Sequence, residues 1–212
     1  MANPWLTIPA DDYEGHMSSP EVGQLQALSE LFGSVVSELR PGSVAVLGCS
    51  TGNGFEHISP AVTQRVIGVD INPAYLEILR QRFAVGLPHL ALLEDDIASP
   101  SFQIEPVSLI FAGLVFEYVD IDRTVRNIAR CLLPGGTLVV ALQLPSGVSP
   151  QITPTRFASL EALAPIMRLV DVAGFSSACS ERGLVQARAE RVPLKQGKSL
   201  FVGYFDKPAD SP

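Results

Sequence analysis

Charged residues and cysteines are scarce in this chain of 212 residues. Only 17% of the residues are charged and 47% are hydrophobic, whereas an average soluble domain has ~25% charged residues. A chain this apolar can bury enough surface to offset the entropy lost on folding, which excludes intrinsic disorder. Three cysteines, an odd number in a long chain, exclude a disulfide scaffold. Cys49, Cys131 and Cys179 have no metal-binding spacing, so we expect reduced, packed thiols and no metal site.

Basic residues and long apolar runs are also few. Lys and Arg number 15 against 22 Asp and Glu, and the resulting negative charge disfavours nucleic acid as a partner. The longest uncharged apolar run of note, Leu109–Phe116, is far shorter than the ~18 residues that a membrane span needs. The first residues have neither the basic start nor the apolar core of a signal peptide. We therefore expect a cytoplasmic protein without a membrane partner, as a monomer or homodimer.

Short apolar runs divide the chain at regular intervals. Five of them are nearly continuous in apolar character, which is typical of strands buried on both faces of a parallel sheet. Two further strands are predicted at the C-terminal side, and the glycine-containing connection between them suits an antiparallel hairpin. The predicted strands are Val44–Leu47, Val66–Val69, Leu90–Leu93, Val107–Ala112, Thr137–Leu142, Leu184–Leu194 and Leu200–Phe205.

Helical patterns lie between these runs. A helix is predicted to begin at Ser19-Pro20-Glu21 and to stop at Pro41-Gly42. Others follow Asn72-Pro73 and Asp120 or Asp122, and a last helical region runs from about Thr155 to Glu181 with a break at Pro165. Strands that alternate with helices predict an open, doubly wound α/β sheet.

The main functional signal is a glycine-rich turn, Gly48-Cys-Ser-Thr-Gly-Asn-Gly54, between the first strand and the next segment. Glycines let the backbone approach a ligand closely. The second strand ends in Asp70, where a carboxylate can accept both hydroxyls of a ribose. The third is followed by Asp95-Asp96-Ile97, which could grip an adenine by its amino group and its face. Together these features describe a site shaped for adenosine.

These motifs make the chain similar to class I S-adenosylmethionine-dependent methyltransferases. The similarity covers about residues 40–145, and five motifs occur in the family's order. It implies a Rossmann-like sheet of seven strands with helices on both faces, mostly parallel with one antiparallel C-terminal strand. The motifs are Val44–Gly54, Gly68–Leu76, Glu94–Ile97, Val107–Tyr118 and Arg130–Leu138.

The resemblance implies S-adenosylmethionine as the cofactor and one domain over residues 1–212. Residues 1–40 would supply an N-terminal lid and helix, 41–145 the cofactor-binding core, and 146–212 the substrate-side loop, helices and C-terminal hairpin. The residues expected to bind the cofactor are Gly48, Cys49, Ser50, Gly52, Asp70, Ile71, Asp96, Ile97, Gly113, Tyr13 and Met17.

Two residues depart from the family pattern. Val46 stands where the family usually has an acidic residue that orients the loop and the methionine ammonium. We expect a water or a side chain of the N-terminal segment to replace it, or cofactor binding to be weaker. Ser50 stands in place of a glycine and needs permissive backbone angles.

Two other readings of the glycine turn are disfavoured. Gly48-Cys-Ser50-Thr-Gly52 matches the nucleophile elbow of α/β-hydrolases, and Ser50, Asp70 and His89 have the order of a triad. However, no histidine follows His89 to act as a late general base. A dinucleotide site is disfavoured because G-x-G-x-x-G is absent, with His57 in the last glycine position.

Methyl transfer needs mainly an acceptor held in line with an activated methyl group. A general base is required only if the acceptor carries its proton into the reaction. His16, Glu117 and Tyr118 are the candidate catalytic residues, although each could equally be a packing or helix-entry residue. We expect a small-molecule acceptor. The alternatives are a protein substrate, or a non-catalytic cofactor-binding protein or partner subunit.

Overall fold

The computed structural model describes residues 3–147 and 150–209, and its strands form one sheet of seven in the order β3-β2-β1-β4-β5-β7-β6. The first five strands run parallel, whereas β7 is antiparallel to both β5 and β6. This confirms the predicted fold class. The strands are β1 Ser43–Leu47, β2 Arg65–Asp70, β3 Leu90–Glu94, β4 Val107–Gly113, β5 Leu132–Gln143, β6 Val185–Pro193 and β7 Ser199–Asp206.

Helices cover both faces of the sheet. Alternate β1 residues, Val44 and Val46, belong to the apolar cluster that contains α2 and α3. Ala45 and Leu47 belong to the opposite cluster, with α4 and α5, as expected from the two-residue period of a strand. The helices are α1 Ala10–Ser18, α2 Gln24–Leu39, α3 Pro73–Phe83, α4 Ile121–Cys131 and α5 Val172–Glu181.

In the described ranges, the model contains no helix with the length and hydrophobicity that a membrane span requires.

The predicted start of the second helix at Ser19-Pro20-Glu21 was wrong. The Ser19 N–H and hydroxyl both donate to the carbonyl of His16, so Ser19 closes α1 instead of capping α2. Gly23, with φ of 63°, then turns the chain into α2. A serine that could cap the start of a helix instead closes the end of the preceding helix. Residue preference alone does not distinguish these two roles.

The predicted helical region at 155–181 is also more broken than expected. It contains a 3-10 helix at Ala158–Leu163 and then α5, with Pro165 in the irregular segment between them. The Asp171 carboxylate caps α5 by accepting from the N–H groups of Ala173 and Gly174. The second half of the prediction therefore holds only from Val172 onward.

The fifth strand begins earlier than predicted, at Leu132 instead of Thr137. The pairing of β4 with β5 shifts register between Val107 and Leu109, and this shift absorbs the turn at Leu133–Gly136. The Gly135 N–H donates to Lys207, and the Lys207 N–H donates to Gly136. The turn is thus built into the sheet.

Candidate functional site

A cavity of about 390 Å³ lies at the carboxyl ends of the parallel strands. β1 pairs with β2 on one side and with β4 on the other, so the cavity lies where the strand order reverses, the usual ligand site of open α/β sheets. The predicted site residues that line it are Tyr13, His16, Met17, Gly48, Ser50, Asp70, Ile71, Asp96, Ile97, Gly113, Glu117 and Tyr118.

Cys49 and Gly52 do not line the cavity. Cys49 is buried, and a Cβ on Gly68 would lie 3.0 Å from its sulfur. A Cβ on Gly52 would come within 2.9 Å of Phe83 and Leu79. Gly52 therefore serves the packing of the loop against α3.

Asp70 joins the glycine-rich turn to the end of β2. Its Oδ2 accepts from the N–H of Ser50 at 2.8 Å, and its Oδ1 accepts from the N–H of Asn72 at 2.9 Å. Burial raises the pKa of this carboxyl, while these backbone N–H groups oppose the rise. The carboxylate is held rigidly at the cavity wall.

Ser50 has the backbone conformation that a family glycine would adopt, with φ of 50°. A non-glycine residue in this left-handed region costs on the order of 1 kcal/mol. The hydrogen bond from its N–H to Asp70 holds it there. Its hydroxyl is buried without a well-formed hydrogen bond. Burial raises the pKa of the Tyr13 phenol to about 12, and the nearby Ser50 hydroxyl opposes this rise.

Glu14 of α1 is hydrogen-bonded to the glycine-rich turn, where the sequence analysis expected a water or a side chain of the N-terminal segment to replace the acidic residue missing at position 46. Its carboxylate accepts from the Thr51 hydroxyl and from the Arg82 guanidinium on α3. The hydrogen bond from Arg82 lowers the pKa of Glu14. Val46 is packed in the core. No local sequence pattern marks Glu14, because its partners are 37 and 68 residues away.

The segment after β3 forms one end of the cavity. Ile97 is buried, and its carbonyl accepts from the side-chain amide of Asn127 at 2.9 Å. Asp96 is exposed at the cavity mouth, where its Oδ1 accepts from the N–H of Ala98 at 2.8 Å. A carboxylate and an apolar side chain thus both line this end of the cavity.

The opposite end contains polar residues that the sequence analysis missed. The N–H of Gln143, at the end of β5, donates to Glu117 Oε1 at 2.7 Å. The Gln143 side chain accepts from Gln24 at 3.3 Å and donates to the carbonyl of Gln151 at 3.1 Å. Gln143 therefore joins α2, the segment after β4 and the segment after β5.

Lys198, at the start of β7, lines the same end of the cavity and is buried. Its Nζ donates to the carbonyl of Gln151 at 2.6 Å and to the Thr153 hydroxyl at 2.8 Å. Burial lowers its pKa. The pKa of His16 is lowered by burial and by the charge of Lys198, which favours a neutral imidazole beside Thr155 at 3.0 Å.

Aromatic rings close the cavity from the N-terminal side. Trp5 packs edge-on against Tyr118, with ring centroids 5.1 Å apart. The Trp5 carbonyl accepts from the Asn72 side chain at 2.9 Å, and the Tyr75 hydroxyl donates to the carbonyl of Ile8 at 3.0 Å. These bonds fix the N-terminal segment over the end of β2.

Among the residues that the structure describes, no group of three or more His, Cys, Asp or Glu side chains could hold a metal ion.

The strand order and the glycine-rich turn define the class I S-adenosylmethionine-dependent methyltransferase fold. Residues 44–136 match the family model described as a methyltransferase domain, which confirms the resemblance that the motifs predicted. Over 119 residues, half of this chain, the sequence is 34% identical to carboxy-S-adenosyl-L-methionine synthase of Pseudomonas paraeruginosa (strain DSM 24068 / PA7). The matched segment spans 46% of that protein, so the chain matches about half the length of this curated relative.

Solved structures share the fold at low sequence identity. Magnesium protoporphyrin IX methyltransferase (ChlM) from Synechocystis PCC 6803, with bound S-adenosylhomocysteine, has a TM-score of 0.72 and 14% identity. That similarity covers 96% of this chain and 95% of the other. N-methyltransferase NodS from Bradyrhizobium japonicum WM9, in complex with S-adenosyl-l-homocysteine, has a TM-score of 0.67 and 16% identity, covering 93% and 99%.

Proposed function

We propose that this protein binds S-adenosylmethionine and transfers its methyl group to a small-molecule acceptor. The observation that carries this proposal is the order of side chains along the sheet edge. Gly48 and Ser50 of the turn after β1, Asp70 at the end of β2 and Asp96-Ile97 after β3 all line one cavity. Asp70 suits the ribose of adenosine, and Asp96 and Ile97, beside the next strand of the sheet, suit the adenine.

The residues present fit this ligand. Asp70 would accept the ribose hydroxyls, Asp96 would accept the adenine amino group, and Ile71 and Ile97 would contact the faces of the adenine. Backbone groups of the Gly48–Ser50 turn and Gly113 would surround the methionine part, with Tyr13 and Met17 above them. When bound, S-adenosylmethionine supplies a methyl group on a positively charged sulfur, and the negative charge of the site suits that cation.

Calorimetric titration with S-adenosylhomocysteine tests the site without an acceptor. We expect micromolar binding by the wild type and at least 100-fold weaker binding by Asp70→Asn. This substitution removes a charged acceptor from two ligand hydroxyls, a loss of about 3 kcal/mol. Asp122→Asn on α4, an exposed carboxylate that does not line the cavity, is the matched control and should bind within twofold. Equal affinities of Asp70→Asn and wild type would refute the assignment.

A second candidate is a reaction on S-adenosylmethionine itself. The 34% identity to a carboxy-S-adenosyl-L-methionine synthase favours it. Mass spectrometry of the nucleoside product separates the two reactions, because methyl transfer yields S-adenosylhomocysteine and the other yields a heavier, carboxylated nucleoside. A non-catalytic binding protein would bind the ligand and form neither product.

A further inference from the structure

The cavity has two chemically different halves. Asp70 ends β2 and Asp96 follows β3, whereas Glu117 follows β4 and Gln143 ends β5, on the other side of β1. Neighbouring strands lie about 4.8 Å apart, so β2 and β4 are separated by roughly 10 Å. A ligand whose adenosine occupies the first half therefore leaves the second half for another molecule.

Glu117 is the incompletely bonded group of this second half. Its side chain is buried, with 1% exposure, and Oε1 accepts from the N–H of Gln143. Oε2 has no hydrogen-bond partner in the described part of the chain. No ion pair involves Glu117 among those residues. A buried carboxylate is expensive unless a donor, and preferably a cation, completes it.

The charged and titratable groups nearby do not supply that cation. Arg168 donates its backbone N–H to the carbonyl of Glu117 at 2.8 Å, but its guanidinium donates to the carbonyls of Pro165 and Met167. Lys198, immediately before β7, directs its Nζ at Gln151, Thr153 and Pro150. His16 of α1 is bonded to Thr155, and Tyr118 packs against Trp5. At the mouth, Asp120 and Arg123 of α4 are exposed.

Apolar side chains line the cavity together with Glu117. Leu160, Leu163 and Met167 line the cavity and are buried, and the Trp5 and Tyr118 rings pack against the cluster that contains Leu160 and Leu163. Aromatic faces attract cations as well as apolar groups. The surroundings suit a small molecule with an apolar body and one cationic, hydrogen-donating end.

Granting the methyltransferase function proposed above, we infer that the acceptor is a small primary or secondary amine and that Glu117 binds it through Oε2. The ammonium end donates to Oε2 and compensates the buried charge, and the apolar body lies against Leu160, Leu163 and Met167.

The transfer then balances as follows. Glu117 takes one proton from the bound ammonium, which leaves a neutral amine with a free electron pair. That pair forms the new carbon–nitrogen bond as the carbon–sulfur bond breaks, and the sulfur keeps the electrons of the broken bond. The products are a methylated ammonium and S-adenosylhomocysteine, and Glu117 releases its proton to solvent.

The first experiment locates Glu117 in the acceptor half. Calorimetry compares S-adenosylhomocysteine binding by wild type, Glu117→Gln and the exposed control Glu161→Gln. We expect Kd values within threefold of one another, which also shows that Glu117→Gln is folded. Binding that is more than tenfold weaker in Glu117→Gln, but not in Glu161→Gln, would overturn the inference, because Glu117 would then hold the ammonium of the methyl donor. Failure of the wild type to bind would instead refute the proposed function.

The second experiment asks which atom is methylated. Equal concentrations of benzylamine, p-cresol and benzyl mercaptan are incubated with S-adenosylmethionine labelled in its methyl group. We expect labelled N-methylbenzylamine, a rate at least 100-fold lower in Glu117→Gln, and an unchanged rate in Glu161→Gln. With wild type, kcat/KM should rise with pH through about 7, because burial raises the pKa of Glu117 to about 7.

Three results would contradict the inference. They are label on oxygen or sulfur in preference to nitrogen, amine methylation that Glu117→Gln leaves intact, and no labelled amine from a protein that binds S-adenosylhomocysteine.

Discussion

Glu117 couples the stability of the fold to pH. Burial raises its pKa to about 7 in the folded chain, whereas an unfolded chain has the ordinary value of about 4.3. The folded state therefore binds the proton more tightly than the unfolded state does. The stabilising contribution of protonated Glu117 is complete below the unfolded pKa and is lost as pH rises through about 7.

Glu117→Gln should for this reason stabilise the protein at high pH. We expect a free energy of unfolding about 1–3 kcal/mol above that of wild type at pH 8, and a much smaller difference at pH 5. Urea denaturation at the two pH values measures this difference, and Glu161→Gln should show no such dependence. A Glu117→Gln effect of the same size at both pH values would show that the carboxyl does not titrate in this range.

At the scale of elements, the glycine-rich turn is constrained by the helix behind it. Gly52 has φ of 93°, and a Cβ there would meet Phe83 at 2.8 Å and Leu79 at 2.9 Å. Leu79 is fully buried, so the contact cannot be relieved by turning a side chain into solvent. The turn and α3 therefore depend on each other for their positions.

Gly52→Ala should lower the free energy of unfolding by roughly 2–4 kcal/mol, since backbone strain and overpacking add. Gly183→Ala is the matched control. Gly183 also has positive φ, 76°, but nothing lies within 4 Å of an added Cβ, so only strain of about 1 kcal/mol is expected. If chemical denaturation shows the same loss of unfolding free energy in Gly52→Ala and Gly183→Ala, contact with α3 does not limit residue size at position 52.

A separate prediction concerns Glu14, which connects α1 to Arg82 of α3 and to Thr51 of the glycine-rich turn. Glu14→Gln should weaken S-adenosylhomocysteine binding about 3–10-fold because the turn is less firmly placed, while stability falls by less than about 1 kcal/mol, since both partners are partly exposed. Glu77→Gln is the control, because Glu77 pairs with Arg80 on the outer surface of α3. If calorimetry finds equal affinities for the two variants, the bridge does not order the site.

The elements differ in how far sequence predicts them. Continuous apolar runs revealed β1, β2, β4 and β5, since burial on both faces leaves few polar positions in them. The expected burial of β3 on both faces was wrong, because β3 is the edge strand and its residues are exposed or half-buried. The start of α2 was misjudged because Ser19 bonds backward to His16. Glu14 and Lys198 escaped notice because contacts 37 and 45 residues away give them their roles. The adenosine half follows local motifs, whereas the acceptor half is assembled by tertiary packing.

At the scale of the whole molecule, the cysteines report on folding. Cys49, Cys131 and Cys179 are free and buried, and burial raises the pKa of the Cys179 thiol to about 12. Reaction with a thiol reagent such as Ellman's reagent requires a thiolate in contact with solvent. The thiols should therefore react only when the fold opens.

Ligand binding should slow this reaction through the global equilibrium. S-adenosylhomocysteine at 100 times its Kd adds about 2.7 kcal/mol to stability, which corresponds to roughly 100-fold slower labelling when opening is the limiting equilibrium. Asp70→Asn at the same ligand concentration is the control and should gain at most about twofold protection. If the wild-type thiols are labelled at the same rate with and without ligand, the reagent reaches them through local motions away from the cavity.

The walls of the cavity come from distant parts of the chain, and this matters for its synthesis. Asp12 of α1 accepts from the Ser159 hydroxyl at 2.6 Å, and Lys198 at the start of β7 closes the wall beside Thr153. A nascent chain on the ribosome has already released α1 and the strands that hold Asp70 and Asp96, yet it lacks this wall until β7 has emerged from the exit tunnel. The complete pocket therefore forms only after β7 has been synthesised, and its affinity for ligand distinguishes chains that contain β7 from shorter ones.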